Sequence, residues 1–277
     1  MRIGLGALAR AFTLPGMSTQ PHREWDAVTY DRVADPQARW GTAVLERLTL
    51  AGDETVMDAG CGTGRVTEQL LERLPRGRVV ALDGSAAMLE QARDRLRAHG
   101  DRVLFVHADL QALTIADLPG AAPVDAVLST ATFHWIPDHP RLFANLAAVM
   151  RPGARLVAQC GAEGNIAELL RVVRTLGIER AGTWEYASPA TTEQRLLDAG
   201  FTDVVAWTND EPTRFDDAVQ FHDFLEAVCL RETVSGMDAD ASRALVDGVV
   251  AAMPEPVLDY VRLNMLATRG PGHPPRP

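Results

Sequence analysis

The 277-residue chain contains no lysine; all 27 of its basic residues are arginine. Covalent chemistry through a lysine imine is therefore excluded. A basic surplus is lacking as well, since 27 basic against 37 acidic side chains leave a net charge of −10. That balance argues against nucleic acid or an anionic membrane surface as the main partner, because both require a basic footprint. Cysteine is scarce: Cys61, Cys160 and Cys229 are odd in number and far apart. Neither a disulfide framework nor a CxxC metal site can be drawn from them, so no metal is expected and a reducing cytoplasm is the expected location. No apolar run approaches the roughly 20 residues that a spanning helix needs. Arg2 precedes an apolar stretch of the kind that opens a secretion signal, but Arg10 interrupts it and no A-x-A-like cleavage site follows. Residues 1–22 therefore read as a disordered leader, with Met17 as an alternative start, and 269–277 as a solvated tail.

Between these ends the hydrophobic pattern alternates between two periods. Residues 54–60, 77–83, 102–109, 124–130 and 154–160 are short runs rich in Val and Leu that end in small or acidic residues. Near-continuous apolar runs of this kind suit strands of a parallel sheet covered on both faces. The segments between them carry helical spacing: Val66, Leu70 and Leu74 share a face, as do Leu89, Ala92 and Leu96, with Ser85 placed to cap the second helix. Strands alternating with helices predict right-handed βαβ units and an α/β, doubly wound, mostly parallel sheet. No linker divides residues 23–268, which read as one domain.

In such a sheet, ligands bind beyond the carboxyl ends of the strands, where the strand order reverses. The stretch "VMDAGCGTGR" (56–65) places Gly60, Gly62 and Gly64 there, behind Asp58 at the expected end of the first strand. The dinucleotide fingerprint requires a small residue at position 65, and this chain has Arg65. Asp58 would also repel a pyrophosphate at short range, whereas it would attract a ligand with a cationic end. S-adenosylmethionine is such a ligand, with an ammonium and a sulfonium. Asp83 closes the second strand, where a carboxylate can accept from both ribose hydroxyls, and Asp109 closes the third, where it can meet an exocyclic amine. Each could also be a plain helix cap. Three acids at three successive strand ends beside a glycine loop argue for a site.

The motifs "DAGCGTG", "ALDGSAAMLEQAR", "HADLQAL", "VDAVLSTATFHWIPDH" and "LFANLAAVMRPGARLVAQ" resemble, in order and spacing, those of class I S-adenosylmethionine-dependent methyltransferases, over roughly residues 25–265. The "HW-PDH" segment is most similar to the trans-aconitate methyltransferase-like small-molecule group. The resemblance implies a seven-stranded Rossmann-like methyltransferase fold with S-adenosyl-L-methionine as cofactor and a small-molecule acceptor, a carboxylate being favoured. It implies that Gly60, Gly62 and Gly64 line the methionine and ribose, with Asp58 near the ammonium and Asp83 on the ribose hydroxyls. Met88 would pack on the adenine, Asp109 would accept from its amine beside the Leu110 backbone, and Thr130 would present backbone to the methionine end. Tyr30 would cover the cofactor as part of an N-terminal helical lid, or pack that helix on the core as an aromatic anchor. His134 and Trp135 would face the reacting methyl, His134 as a base if the acceptor must lose a proton and Trp135 as an apolar wall. His139 and Asp138 read as loop.

The same pattern makes 23–50 lid helices, 51–160 a cofactor-binding core and 161–268 a C-terminal half. A helix stopped by Gly200 leads to a strand over 202–208, and a last strand spans 258–268. Helices at about 216–230 and 239–252 form an insertion between these two strands, a substrate cap over about 212–255. Oligomeric state and acceptor identity are not readable. Two other classes remain open at this point: a nicotinamide-dependent oxidoreductase, disfavoured by Arg65 and Asp58, and a non-catalytic S-adenosylmethionine-binding module.

Overall fold

A computed structural model describes residues 35–178 and 184–271. The leader, Tyr30 and the first part of the lid segment (23–34) lie outside the described residues. The first described helix, α1 (Asp35–Leu45), is followed by β1 (Thr55–Ala59), α2 (Arg65–Glu72), β2 (Arg78–Asp83), α3 (Ala86–Leu96) and β3 (Val103–His107). Next come β4 (Val124–Thr130), α4 (His139–Val149), β5 (Met150–Gly161), α5 (Ala167–Thr175), α6 (Pro189–Asp198) and β6 (Phe201–Asp210). After β7 (Thr213–Arg214) stand α7 (Ala218–Phe224), a π-helical turn (Leu225–Cys229), α8 (Arg231–Val234) and α9 (Ala239–Ala252), then β8 (Val257–Leu258) and β9 (Val261–Arg269).

Seven strands form one sheet in the order β3-β2-β1-β4-β5-β9-β6, and β7 pairs with β8 outside it. The pairs from β3 across to β5 are parallel, whereas β9 runs antiparallel between β5 and β6. Both faces of the parallel strands are buried, which explains why their sequences run apolar without alternation. Met57, Ala59, Val80, Leu82 and Val127 pack against Leu142, Phe143 and Leu146 of α4. Their neighbours Val56, Val79, Ala81 and Leu128 pack on the other face, against Leu70 of α2 and Leu89 and Ala92 of α3. Ser85 caps α3, accepting from the Met88 N–H at 3.3 Å. Gly200 takes φ +85 between α6 and β6, the left-handed turn that ends the helix.

Several boundaries shift. Asp58 is inside β1, which ends at Ala59, and β3 stops at His107, so Asp109 sits in the loop beyond the strand. The last strand begins at Val261, because the chain breaks at Asp259 and Tyr260 after the short β8. It extends through Arg269, assigned above to the tail; Arg269 Nε donates to the Ala147 carbonyl at 2.8 Å. Asp138 and His139 are not loop. The Asp138 side chain accepts from the Arg141 N–H and caps α4, and His139 is fully buried with Nε2 3.0 Å from the Phe133 carbonyl. Two prolines hid a helix start, since Pro is well placed in a first turn. The segment between β6 and β9 is helical, as expected, and packs with α5 and Trp40 into a hydrophobic cluster of its own.

Candidate active site

The strand order reverses between β1 and β4, and the glycine loop leaves β1 at that crevice. Gly60, Gly62 and Gly64 have φ of +83, +54 and +84. The loop's donors are used within the protein. The Gly60 and Cys61 N–H groups donate to the Leu82 carbonyl (2.8 and 2.9 Å) and Gly64 N–H to the Cys61 carbonyl (3.0 Å). Gly62 N–H donates to Asp83 Oδ2 at 2.8 Å. A pyrophosphate bound here would find these four donors taken, so the loop is built for a ligand that asks for close backbone approach. A Cβ at Gly62 would meet nothing within 4 Å, which marks that approach as open.

Asp58 is buried, with Oδ2 accepting from Thr67 Oγ1 at 2.6 Å and Oδ1 without a hydrogen-bond partner among the described residues. Burial raises its pKa to about 7, the Thr67 hydroxyl opposes the rise and the charge of Asp83 adds to it. A buried carboxylate with an orphaned oxygen under the loop fits a ligand with a cationic end. The raised pKa also sets a pH dependence. The folded protein holds this proton above the usual carboxylate range, so the contribution to stability is intact below pH ~4 and is lost as pH rises through about 7. Asp58→Asn removes the titration. The stability of this variant relative to the ligand-free wild type should therefore rise by about 2 kcal/mol between pH 5 and pH 8. Urea midpoints at the two pH values measure it, and an equal difference at both would show that Asp58 ionises normally.

The other residues expected at the cofactor gather along the same edge. Asp83 is half-buried, with Oδ1 accepting from the Ser85 N–H at 2.9 Å. Met88 is buried one helical turn after Ser85. Asp109 Oδ1 accepts from the Gln111 N–H at 2.8 Å, and the Leu110 carbonyl accepts from Asn145 Nδ2 at 3.0 Å. Thr130 ends β4, and its carbonyl accepts from Thr132 Oγ1 at 3.0 Å. Thr132 also lies against Gly60, whose carbonyl is 3.2 Å from its hydroxyl. This contact joins the glycine loop to the turn that carries His134.

Beyond that turn lies a small, partly open pocket. Ala131, His134 and Trp135 supply one wall, and Asn165 and Ile166, after β5, another. Trp184 and Tyr186 precede α6, Val228 and Cys229 come from the insertion, Tyr260 from the turn just before β9, Arg262 from β9 and Trp40 from α1. Ala131 and Ile166 hold φ of +54 and +49, strained for residues with a side chain, and the π-helical turn supplies Val228 and Cys229. Such departures concentrate at functional sites.

His134 is buried, and its Nδ1 accepts from the Gly161 N–H at 3.3 Å. Burial, then the charge of Arg262, then His139 hold its pKa well below the usual value. The ring is therefore neutral, with its proton on Nε2, and it acts as a donor instead of a base. Trp135 stands 5.8 Å from Trp184, ring to ring, as part of the wall. The Cys229 thiol accepts from Tyr260 and is pushed up to about 12 by burial, so it is no nucleophile.

Sequence reasoning missed Arg262. It is only 2% exposed, its Nε reaches Gln159 Oε1 at 3.4 Å, and its guanidinium lies over the Trp40 ring at 4.2 Å. Trp40 adds an indole N–H that is buried without a hydrogen-bond partner among the described residues. No Asp or Glu belongs to the described cavity lining, in a chain of net charge −10. Among the described residues there is also no group of His, Cys, Asp and Glu that could hold a metal ion.

A family described as "Methyltransferase domain" matches residues 56–153. A trans-aconitate 2-methyltransferase of Methylobacterium radiotolerans is 30% identical over 242 residues, which span 83% of this chain and 89% of that protein. Among solved structures, the YcgJ protein of Bacillus subtilis superposes with a TM-score of 0.60 at 13% identity, over 84% of this chain and 99% of that one. A phosphoethanolamine N-methyltransferase of Haemonchus contortus, solved with S-adenosylhomocysteine, gives 0.57 at 18% identity, over 89% of this chain and 57% of that one. These two likenesses show the fold.

Proposed function

Because the chain belongs to the class I S-adenosylmethionine-dependent methyltransferase family, we propose that it methylates a carboxylate oxygen of a small organic acid held in the aromatic cavity. The carrying observation is the lining itself: a buried arginine, an indole N–H and a neutral imidazole N–H, all donors, with no acidic side chain among the described lining residues. An ionised carboxylate accepts only, so it matches this set. Trans-aconitate, named for the relatives, is one acid of this class.

Bound S-adenosylmethionine would supply an electrophilic methyl to the carboxylate oxygen, its carbon–sulfur bond breaking with the electron pair left on sulfur. An anion and a sulfonium thus become a neutral ester and a neutral thioether, and no proton moves. The protein's task is alignment and exclusion of water. Gly60, Gly62 and Gly64 would hold the methionine and ribose and Asp83 the ribose hydroxyls. Met88, Asp109 and Leu110 would hold the adenine, and Thr130 the methionine end. Asp58 would favour the cationic end from below the loop. Arg262, with Trp40 Nε1 and His134 Nε2, would orient the acceptor, while the aromatic walls keep water away. The insertion would act as the substrate cap through Val228 and Cys229. A dinucleotide finds neither free loop donors nor a small residue at position 65.

His134 provides the test. With a neutral donor and no proton to remove, kcat at saturating S-adenosylmethionine should stay flat between about pH 6 and 9. His134→Gln, which keeps an N–H donor, should lower kcat less than about tenfold and keep the profile flat. An acid limb near pH ~6.5 that is present in the wild type and absent from the variant would reveal a base and contradict this function.

A further inference from the structure

The turn that carries His134 is held from outside the pocket. The carbonyls on either side of the His134 Cα both accept a hydrogen bond: His139 Nε2 is 3.0 Å from the Phe133 carbonyl, and the Glu185 N–H donates to the His134 carbonyl at 2.9 Å. Both donors lead to one nitrogen. Arg195 Nη1, on α6, stands 2.8 Å from Glu185 Oε1 and 3.2 Å from His139 Nδ1. A guanidinium nitrogen of this kind carries two hydrogens and accepts nothing, so it serves both partners at once. His139 Nδ1 must then accept, which leaves the ring neutral with its proton on Nε2, the tautomer that the Phe133 contact requires. Burial, the largest influence on it, also holds the His139 ring below the usual imidazole range.

The same guanidinium orders the pocket wall. Trp184 and Tyr186 belong to the described lining, whereas Glu185 between them reaches out to Arg195. Trp184 and Tyr186 stack on each other at 5.7 Å and 11°, and the His134 ring lies on Tyr186 at 6.0 Å and 24°. These rings fill one another's faces and form a single body that ends at His134. We infer that Arg195, outside the described lining, is a positioning residue for methyl transfer that fixes the place and plane of the His134 ring. The inference rests on the reading of His134 as a donor to the acceptor. One route runs through His139 to the backbone before that ring. The other runs through Glu185 to the backbone after it, and through Tyr186 to its face. The Gly161 N–H on Nδ1 holds the ring from the β5 side. A donor that turns away from the acceptor loses alignment, and a displacement of about 1 Å costs up to about a hundredfold in rate.

Methyl transfer from S-adenosylmethionine by the full chain tests it, with trans-aconitate, benzoate and hexanoate as acceptors. For the acid turned over fastest, Arg195→Met should lower kcat about tenfold, less than His134→Ala does, and leave the calorimetric affinity for S-adenosylmethionine within about twofold. In a His134→Ala background the same substitution should lower kcat less than about twofold, because its effect passes through the missing ring. Arg195→Lys keeps a cation beside Glu185 and should stay within about threefold of wild type. Circular dichroism confirms folding. Should Arg195→Met not fold, Glu185→Gln carries the same cycle, with about threefold expected alone and no further loss in the His134→Ala background. Equal losses in the two backgrounds, or no loss in either, overturn the inference and leave the carboxylate function standing. Failure of the wild type with all three acids overturns both.

Discussion

Arg262→Met is expected to lower kcat/KM for an organic acid at least about a hundredfold while changing the affinity for S-adenosylmethionine only a few-fold. The arginine is buried in β9, against Gln159 on one side and the Trp40 face on the other, at the cavity and away from the glycine loop. Met keeps the length of the stem and removes the charge. A carboxylate entering the variant would be buried with no counter-ion, which costs several kcal/mol, about 3 or more. Arg262 also contacts Gln159 and the Trp40 ring, so a urea midpoint for the variant separates a loss of catalysis from a loss of folding. Arg262→Lys restores the charge without the planar fork and should fall between the two. Steady-state kinetics with calorimetry for the cofactor separates these effects, and a variant within a few-fold of wild type would remove Arg262 from the acceptor site.

Gly60→Ala should be severely damaging for the addition of one methyl group. A side chain at φ +83 costs about 1–2 kcal/mol from backbone sterics alone. The new Cβ would also stand 2.1 Å from Thr132 Oγ1 and 2.3 Å from its Cγ2. Thr132 must then leave its hydrogen bonds to the Gly60 and Thr130 carbonyls, and the junction between loop and cavity opens. A loss of about 3 kcal/mol in stability is expected, with S-adenosylmethionine binding lost beyond that. Gly62→Ala is the contrast: its φ is +54 but nothing lies within 4 Å of the added Cβ. It should cost about 1 kcal/mol of stability yet weaken binding, because under the proposed function the space it fills would be the ligand's. Equal urea midpoints for the two variants would contradict this picture of the loop.

What was legible in the sequence was local. Val56, Met57 and Ala59, or Val79 to Leu82, announce a strand buried on both faces because every position meets a neighbour in one cluster or the other. Ser85 and Gly200 mark helix ends with their own side chain or backbone. The glycine loop and its acids were visible for the same reason: Asp83 ends β2, Asp58 is one residue short of the end of β1, and Asp109 lies two residues beyond β3. The acceptor cavity was not. Trp40, Trp184 and the neighbours Tyr260 and Arg262 are far apart in the chain, and they meet because β9 inserts between β5 and β6. Arg262 reads as an ordinary strand residue, and arginine is rarely fully buried. Its site was prepared by partners no periodicity reveals: Gln159 on β5, which donates in turn to Asn264 on β9. His134 was found by its place after β4, but its role was not. The lone pair that would have made it a base is committed to the Gly161 N–H of β5.

The acceptor atom tests the account most directly. The full chain would be incubated with methyl-tritiated S-adenosylmethionine and a panel of organic acids, phenols and amines, and the labelled products treated with mild alkali. Methylation at a carboxylate oxygen makes an ester, so the label should appear on an acid and be released as volatile methanol. Label that stays on the product through alkali would place the methyl on carbon, nitrogen or a hydroxyl oxygen, and would contradict the proton-free transfer to a carboxylate held by Arg262.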